Sequence, residues 1–247
     1  MDQPEGGALD GGRTRARRGL APTRLGGAEG DRLVGAEAPP APSCLGHAGG
    51  ARGVEKRLEQ AVAEERAKHP DKPVEVWATD EHRIGLRPIL RRVWAPKGER
   101  PIALGHHRYK GLSVTAFVQP ISGETFWSVS NGVSKPFLAA LLALFAREAG
   151  AGRERIVVLG LDKAGWHTAP NLVVPDGIRL VSLPRYSPEL QPAKHLWPAL
   201  DEPLAHRSFG TLAELEQVVT ERCRILNSDQ LKPGTTFHCW PKPAIPA

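Results

Sequence analysis

The chain has 247 residues, of which 24% are charged and 40% hydrophobic, and this composition is typical of one globular domain with or without an arm. Its formal net charge of +6 is compatible with a polyanionic partner but does not require one. No apolar run approaches the roughly 20 residues that span a bilayer, no secretory signal is apparent, and three scattered cysteines indicate no disulfide framework, so we expect a cytoplasmic protein without membrane contact.

Residues 1–54 differ in composition from the rest of the chain. Gly, Ala and Pro occupy 27 of these 54 positions, and large apolar side chains are few and show no period. Such a segment cannot bury enough surface to offset its conformational entropy. We therefore predict a disordered N-terminal arm, and its seven arginines against six acids make it a poor candidate for a DNA-binding arm.

Order is predicted to begin near residue 55. The stretch "VEKRLEQAVAEERAKHP" has apolar residues on one face and predicts a helix that ends before Pro70. The alternation in "VEVWATD" predicts a strand over 74–80 that closes at Asp80. A second strand is expected in "IGLRPILRRVWAPKGERP", and "KGLSVTAFVQPISGETFWSVSNG" predicts two strands joined by a turn at Ser122-Gly123.

The clearest helix is predicted in "SKPFLAALLALFAREAG", with Ser134 as N-cap and Gly150 at its end. The near-continuous apolar run "RIVVLGLD" over 155–162 is typical of a central strand covered on both faces. A further strand is expected in "GIRLVSLP".

Two more helices are predicted towards the C-terminus. The stretch "ELQPAKHLWPALDEPLAHR" favours a helix that Pro198 and Pro203 distort. A final helix is predicted in "TLAELEQVVTERCRILN", where Thr211 is the N-cap and Glu214 completes a capping box. This order of elements predicts an α/β domain, with a mixed sheet flanked by helices, over residues 55–232, followed by an irregular tail over 233–247.

Carboxylates follow or close two of the predicted strands. Asp80 stands at the end of the first strand and Asp162 at the end of the buried one. Acids at strand ends are held by rigid backbone, and several that converge in one crevice could bind a pair of Mg²⁺ ions for phosphoryl displacement. Taken alone, an aspartate after a strand is more often a turn former or an N-cap than a catalytic residue.

The joint pattern carries more information. The segments "DEHRIGL", "LDKAGWH" and "PRYSPELQPAKHLWP" resemble, in order, the three catalytic blocks of the DDE-type insertion-sequence transposases, in the bacterial branch related to the mariner elements. The resemblance includes "RRVWAPKGERP" and extends over about residues 55–240. It implies a ribonuclease-H-like fold, metal-dependent DNA strand cleavage and transfer with Mg²⁺ or Mn²⁺, and transposon ends and target DNA as partners, with a possible homodimer on DNA.

The resemblance makes Asp80 and Asp162 the first two catalytic acids and metal ligands, and it places the third acid at position 194. That residue is Lys194, which removes a ligand and adds positive charge beside aspartates with which it would form ion pairs. We predict weak or absent metal binding at the third position and severely reduced cleavage. Of the acids that could substitute, Glu189 is favoured over Asp201 and Glu202 by proximity, although misplacements of about 1 Å are already costly in such sites. Glu81 would face away from Asp80 if the strand continues.

The same resemblance suggests which side chains contact DNA. The expected DNA-binding residues are Arg83, Arg91, Arg92, Lys97, Lys163 and His167. A solvated hairpin face explains the arginine and lysine run equally well, and His167 could instead cap its loop. Trp166 and Trp197 are interpreted as walls of the core or crevice.

Transposases of this kind carry a helix-turn-helix region before the catalytic domain, and residues 1–54 have no such pattern. One hypothesis is therefore a truncated or frame-damaged transposase copy. The alternative function is a non-catalytic remnant that binds DNA or interferes with active relatives. A product without any role is the third possibility.

Overall fold

The structure is a computed structural model that describes residues 48–90, 110–162, 171–184, 187–236 and 240. Five strands form one sheet: β1 (Val74–Gly85), β2 (Gly111–Val118), β3 (Thr125–Ser130), β4 (Ile156–Leu161) and β5 (Ile178–Ser182). The helices are α1 (Ala48–Lys68), α2 (Lys135–Glu148), α3 (Trp197–Asp201), α4 (Leu212–Ile225) and α5 (Ser228–Thr235). Within these ranges no helix combines the length and the apolar character needed to cross a membrane.

The strand order in the sheet is β3-β2-β1-β4-β5, with β1 at the centre. The meander β1–β2–β3 is antiparallel, whereas β4 and β5 run parallel to β1. The prediction of a mixed sheet flanked by helices is therefore confirmed. All six residues of β4 are buried, as its continuous apolar run predicts for a strand covered on both faces.

The first strand is longer than predicted. Asp80 was expected to close it, but β1 runs on to Gly85 and includes the residues assigned to the start of a second strand. The reason is that β1 has two partners of different length. Parallel pairing with β4 reaches only Ala78, whereas antiparallel pairing with β2 continues from Asp80 to Gly85. Asp80 therefore lies just beyond the point where β1 loses its parallel neighbour.

The two faces of the sheet carry different layers. Helix α2 covers one face through a cluster of apolar side chains centred on Phe145, which packs against Trp77 and Phe117. The other face lies under α1, α4, α5 and the segment 188–204, in one larger cluster. The candidate site lies on this second face.

Helix α1 begins earlier and α5 ends later than the predicted domain. Because Ala51 and Val54 are buried in the core, α1 starts at Ala48, within the segment predicted to be disordered. Residues 1–47 lie outside the described residues, so the prediction for them stays a prediction. Part of the predicted tail is helical in α5, and Trp240 is buried and donates to the carbonyl oxygen of Leu190 at 3.1 Å.

The predicted N-caps are confirmed, since the Ser134 and Thr211 hydroxyl groups accept from the third residue of their helices. The capping box at α4 is incomplete, because the Glu214 carboxylate accepts from the N–H of Gly210 and not from that of Thr211. The predicted distorted helix is a series of short pieces: 3₁₀ turns at Pro188–Leu190, Pro192–Leu196 and Glu202–Leu204, with α3 between the last two. A proline lies in the first two positions of each piece. Proline has no N–H to hydrogen-bond to the preceding turn, so the preceding helical piece ends and a new one begins.

Candidate active site

The sheet brings the two predicted catalytic aspartates to neighbouring positions. Ala78 on β1 pairs with Gly160 on β4 in the parallel register. The paired register ends there, and Asp80 and Asp162 each follow two residues later in the sequence. Because side chains along a strand alternate with a period of two, we expect both aspartates on the face of Ala78 and Gly160.

Lys194 contacts the first of these aspartates directly. Its ammonium Nζ lies 3.0 Å from Oδ1 and 3.0 Å from Oδ2 of Asp80. The indole N–H of Trp197 donates to the same Oδ2 at 2.9 Å. The ion pair expected between Lys194 and a neighbouring aspartate is therefore present. Asp80 is almost completely buried, with 2% exposure, whereas the Lys194 side chain is 36% exposed.

The 3₁₀ turn at Pro192–Leu196 explains why both donors reach one carboxylate. In a 3₁₀ turn, side chains three residues apart lie one above the other, and Lys194 and Trp197 have this spacing. The turn is anchored to β1 by Gln191, whose side-chain amide donates to the carbonyl oxygen of Thr79 at 2.8 Å. Gln191 is itself buried, so its side chain fixes the height of Lys194 above Asp80.

The electrostatics of Asp80 combine two opposing effects. Burial raises the pKa of the Asp80 carboxyl above its ordinary value, because the charged form loses its hydration. The Lys194 ammonium and the Trp197 N–H act in the other direction, and the nearby Glu81 carboxylate adds to the upward shift. Lys194 therefore supplies the main compensation for a carboxylate held out of water.

A divalent ion does not fit the donor set that these residues present. Both Asp80 oxygens accept hydrogen bonds from a cation, and Mg²⁺ would have to approach one of them to about 2.0–2.1 Å. The Lys194 ammonium beside Asp80 has the same sign of charge as a metal ion and would repel it. Within the described ranges, no group of three or more His, Cys, Asp or Glu side chains is arranged to hold a metal.

A second acid–base pair lies beside the first and was not foreseen. His82 Nε2 is 3.0 Å from Asp201 Oδ1, and the His82 ring stacks on Trp197 with centroids 5.0 Å apart. Asp201, which the sequence suggests only as a substitute for the third acid, instead pairs with His82. The segment "DEH" holds a usable signal, since residues two apart on a strand share a face and His82 therefore sits beside Asp80.

The other predicted site residues fall into two groups. Arg83 lies on β1 and is exposed. Because β1 continues, Glu81 alternates to the face opposite Asp80, as expected. Trp197 is 8% exposed and forms a wall of the site, which confirms its interpretation. The remaining predicted DNA-binding residues and Trp166 lie outside the described residues: Arg91, Arg92, Lys97, Lys163 and His167.

Comparison with protein families identifies the class of protein that this fold and site define. Residues 75–216 match the model of the DDE superfamily endonuclease family. The match covers more than half of the chain, and the chain belongs to that family. A relative from Sinorhizobium fredii (strain NBRC 101917 / NGR234), uncharacterized protein y4pE/y4sA, is 38% identical over 87 residues, which cover 35% of this chain and 61% of the relative.

Solved structures agree on the fold. The crystal structure of a pre-cleavage Mos1 transpososome aligns with a TM-score of 0.53 and 14% identity, over 82% of this chain and 63% of that one. The Mos1 mariner paired-end complex with Mn aligns with a TM-score of 0.53 and 16% identity, over 82% of this chain and 62% of that one. The chain thus spans about three fifths of the length of these proteins. At such identities the likeness establishes the ribonuclease-H-like fold.

Proposed function

We propose that the chain is a transposase of the DNA strand-cleaving type whose catalytic step is severely impaired by Lys194. Asp80, Asp162 and position 194 are the proposed counterparts of the family's three acids. The observation that carries the impairment is the contact of Lys194 Nζ with both Asp80 oxygens at 3.0 Å. Relative to a carboxylate, lysine changes the charge at this position by two units.

The size of that effect follows from simple electrostatics. Two unit charges 4 Å apart interact by about 4 kcal/mol at an effective dielectric constant of about 20. A divalent ion beside Asp80 would meet repulsion of at least this order from the Lys194 ammonium. It would also have to displace the hydrogen bonds that Lys194 and Trp197 make to the carboxylate. We therefore expect divalent ions to bind weakly at this site.

The test compares wild type with Lys194→Glu and Lys194→Gln. Nicking of supercoiled plasmid and of end-sequence DNA is measured with Mg²⁺ or Mn²⁺, and Mn²⁺ binding is measured separately by calorimetry. Of the three proteins, we expect only Lys194→Glu to bind Mn²⁺ tightly. Its nicking rate should exceed that of wild type by a factor of about 10² or more, which is the size of effect seen for other precisely placed catalytic groups. Lys194→Gln is the matched control, because it removes the cation without supplying a ligand. Equal nicking by wild type and Lys194→Glu would refute the impairment.

The second candidate function is docking on DNA without cutting it. The Lys194–Asp80 ion pair favours this candidate, because it neutralises a buried carboxylate that would otherwise repel phosphate in the absence of metal. We expect wild type to bind DNA equally well with and without chelator, and its affinity to fall steeply with salt. A gel-shift titration measures both, and mass determination of the complex tests whether two copies assemble on one DNA.

A further inference from the structure

A cavity of about 500 Å³ lies beside the candidate active site, at the paired ends of β1 and β2. Gly85 pairs with Gly111 here, and Ile89 forms a wall through its bridge to Ala205. The volume lies within the range of sites that hold small ligands or single units of a polymer. None of the functions derived above uses this cavity.

The charges around the cavity favour an anionic ligand. Among the residues that the structure describes, the lining includes three basic ones: Arg83, Arg87 and Lys110. The carboxylate among the described lining residues belongs to Asp201, which His82 contacts at 3.0 Å. Clefts lined by one sign of charge concentrate ions of the opposite sign.

The floor of the cavity lets a ligand approach the backbone closely. Ile84 supplies apolar surface, and Gly85 and Gly111 supply no side chain at all. Gly111 cannot be replaced freely, because a Cβ atom there would lie 2.7 Å from the carbonyl oxygen of Ile84. A phosphate ester has charged oxygens on one side and carbon on the other, and this lining matches both.

Fixed side chains connect the cavity with the candidate active site. His82 lies two residues after Asp80 on the same face of β1, which corresponds to about 6.6 Å along the strand. Its Nε2 lies 3.0 Å from Oδ1 of Asp201. Trp197 stacks on the His82 ring, and its indole N–H donates to Asp80. These contacts fix the distance between the cavity and Asp80.

We propose that this cavity binds a phosphate group of a DNA strand that runs along β1 past Asp80. Arg83 and Lys110 contact the phosphate oxygens, and the pair of His82 and Asp201 forms the wall towards Asp80. The inference rests on the proposed docking on DNA and adds where one backbone contact is made, without any metal.

The experiment measures binding of a fluorescent DNA duplex by anisotropy, in chelator, between 50 and 200 mM salt, a range over which phosphate contacts strongly affect affinity. It compares wild type with the double variant Arg83→Gln/Lys110→Gln and with the control Arg147→Gln/Arg153→Gln. Both double variants remove two exposed positive charges, and the control pair lies at the end of α2 and in the turn after it. Thermal unfolding checks that each variant is folded, and Lys110→Gln alone serves if the double variant is not.

We expect the cavity variant to lose about tenfold or more in affinity, and the slope of log K against log salt to become shallower by about one, because one phosphate contact is lost. The control variant should keep the wild-type slope to within about one half. Equal losses in both variants would overturn the cavity site while leaving DNA docking intact. If wild type binds no DNA, both the cavity site and the proposed docking on DNA are overturned. Efficient nicking by wild type would refute only the proposed impairment of cleavage.

Discussion

Helix α2 covers one face of the sheet with stacked rings, whereas the opposite face buries a carboxylate that depends on a lysine. On the α2 face, the Phe145 ring stacks on the Phe117 ring with centroids 4.2 Å apart, and it meets the Trp77 ring edge-on with centroids 5.2 Å apart. On the other face, Asp80 has 2% exposure and accepts from Lys194 and Trp197. Apolar packing stabilises both faces, and on the second face this packing surrounds a buried pair of charges.

This difference determines how each face responds to change. Apolar packing is lost in proportion to the atoms removed and responds weakly to pH. A buried carboxylate instead becomes costly when its cation is removed, and that cost depends on its protonation. A variant in the stacked rings should therefore lose a similar amount of stability at every pH, whereas a variant beside Asp80 should lose an amount that depends on pH.

The largest effect is expected for Phe145→Ala, which removes a ring in contact with Phe117, Phe126 and Trp77. We expect it to lower the free energy of unfolding by about 3–5 kcal/mol, as measured by urea denaturation. The neighbouring Leu144 is 38% exposed, and Leu144→Ala should cost less than about 1 kcal/mol. Similar losses for the two variants would contradict the assigned role of the stacked rings.

A smaller loss, dependent on pH, is expected for Lys194→Met. Near pH 7 the loss should be about 1–3 kcal/mol, below the value for a fully buried pair because the Lys194 side chain is 36% exposed. Burial already raises the pKa of Asp80 above 3.8, and the variant raises that pKa further. When the pKa of Asp80 is higher in the folded than in the unfolded state, protonation of Asp80 stabilises the folded state. This stabilisation is complete below pH 3.8, the ordinary value, and is lost as the pH rises through the folded-state pKa.

The difference in stability between wild type and Lys194→Met should therefore be small near pH 3 and grow towards pH 7. Urea denaturation at several pH values measures it. Arg153→Met is the control, because its ion pair with Glu154 is exposed and should contribute little at any pH. A loss for Lys194→Met that is equally large at acidic pH would show that lost packing, and not the charge of Asp80, is responsible.

Much of this architecture could be predicted from local sequence. Ser134 and Thr211 identify their helix starts because an N-cap is a contact within three residues. The apolar run of β4 identifies a central strand for the same local reason. The end of β1 could not be predicted this way, because it depends on where two partner strands stop, and neither limit is encoded near Asp80.

The site was predictable in part. Motifs led to the prediction of Asp80, Asp162 and position 194 as site positions, and elementary charge rules predicted the ion pair of Lys194 with Asp80, which is present. The pair of His82 and Asp201 was missed, since its members are 119 residues apart and meet only because α3 follows a 3₁₀ turn. A regular helix through that segment would have placed Asp201 differently relative to Lys194.

The smallest change is expected at a thiol on α4, and it tests whether the two faces unfold together. Burial raises the pKa of the Cys223 thiol to about 12, so almost no thiolate forms at pH 8. In a background in which Cys44 and Cys239 are replaced by serine, we expect disulfide reagents to label native Cys223 less than about one hundredth as fast as in urea.

Phe145→Ala lies across the sheet from Cys223, yet it should speed this slow labelling in proportion to its loss of stability. That result follows if both layers belong to one cooperative unit, because labelling then requires global unfolding. Labelling that stays at the wild-type rate would mean that α4 opens without the α2 face. The layer that carries Asp80 and Lys194 could then rearrange around a ligand while the stacked rings hold the sheet together.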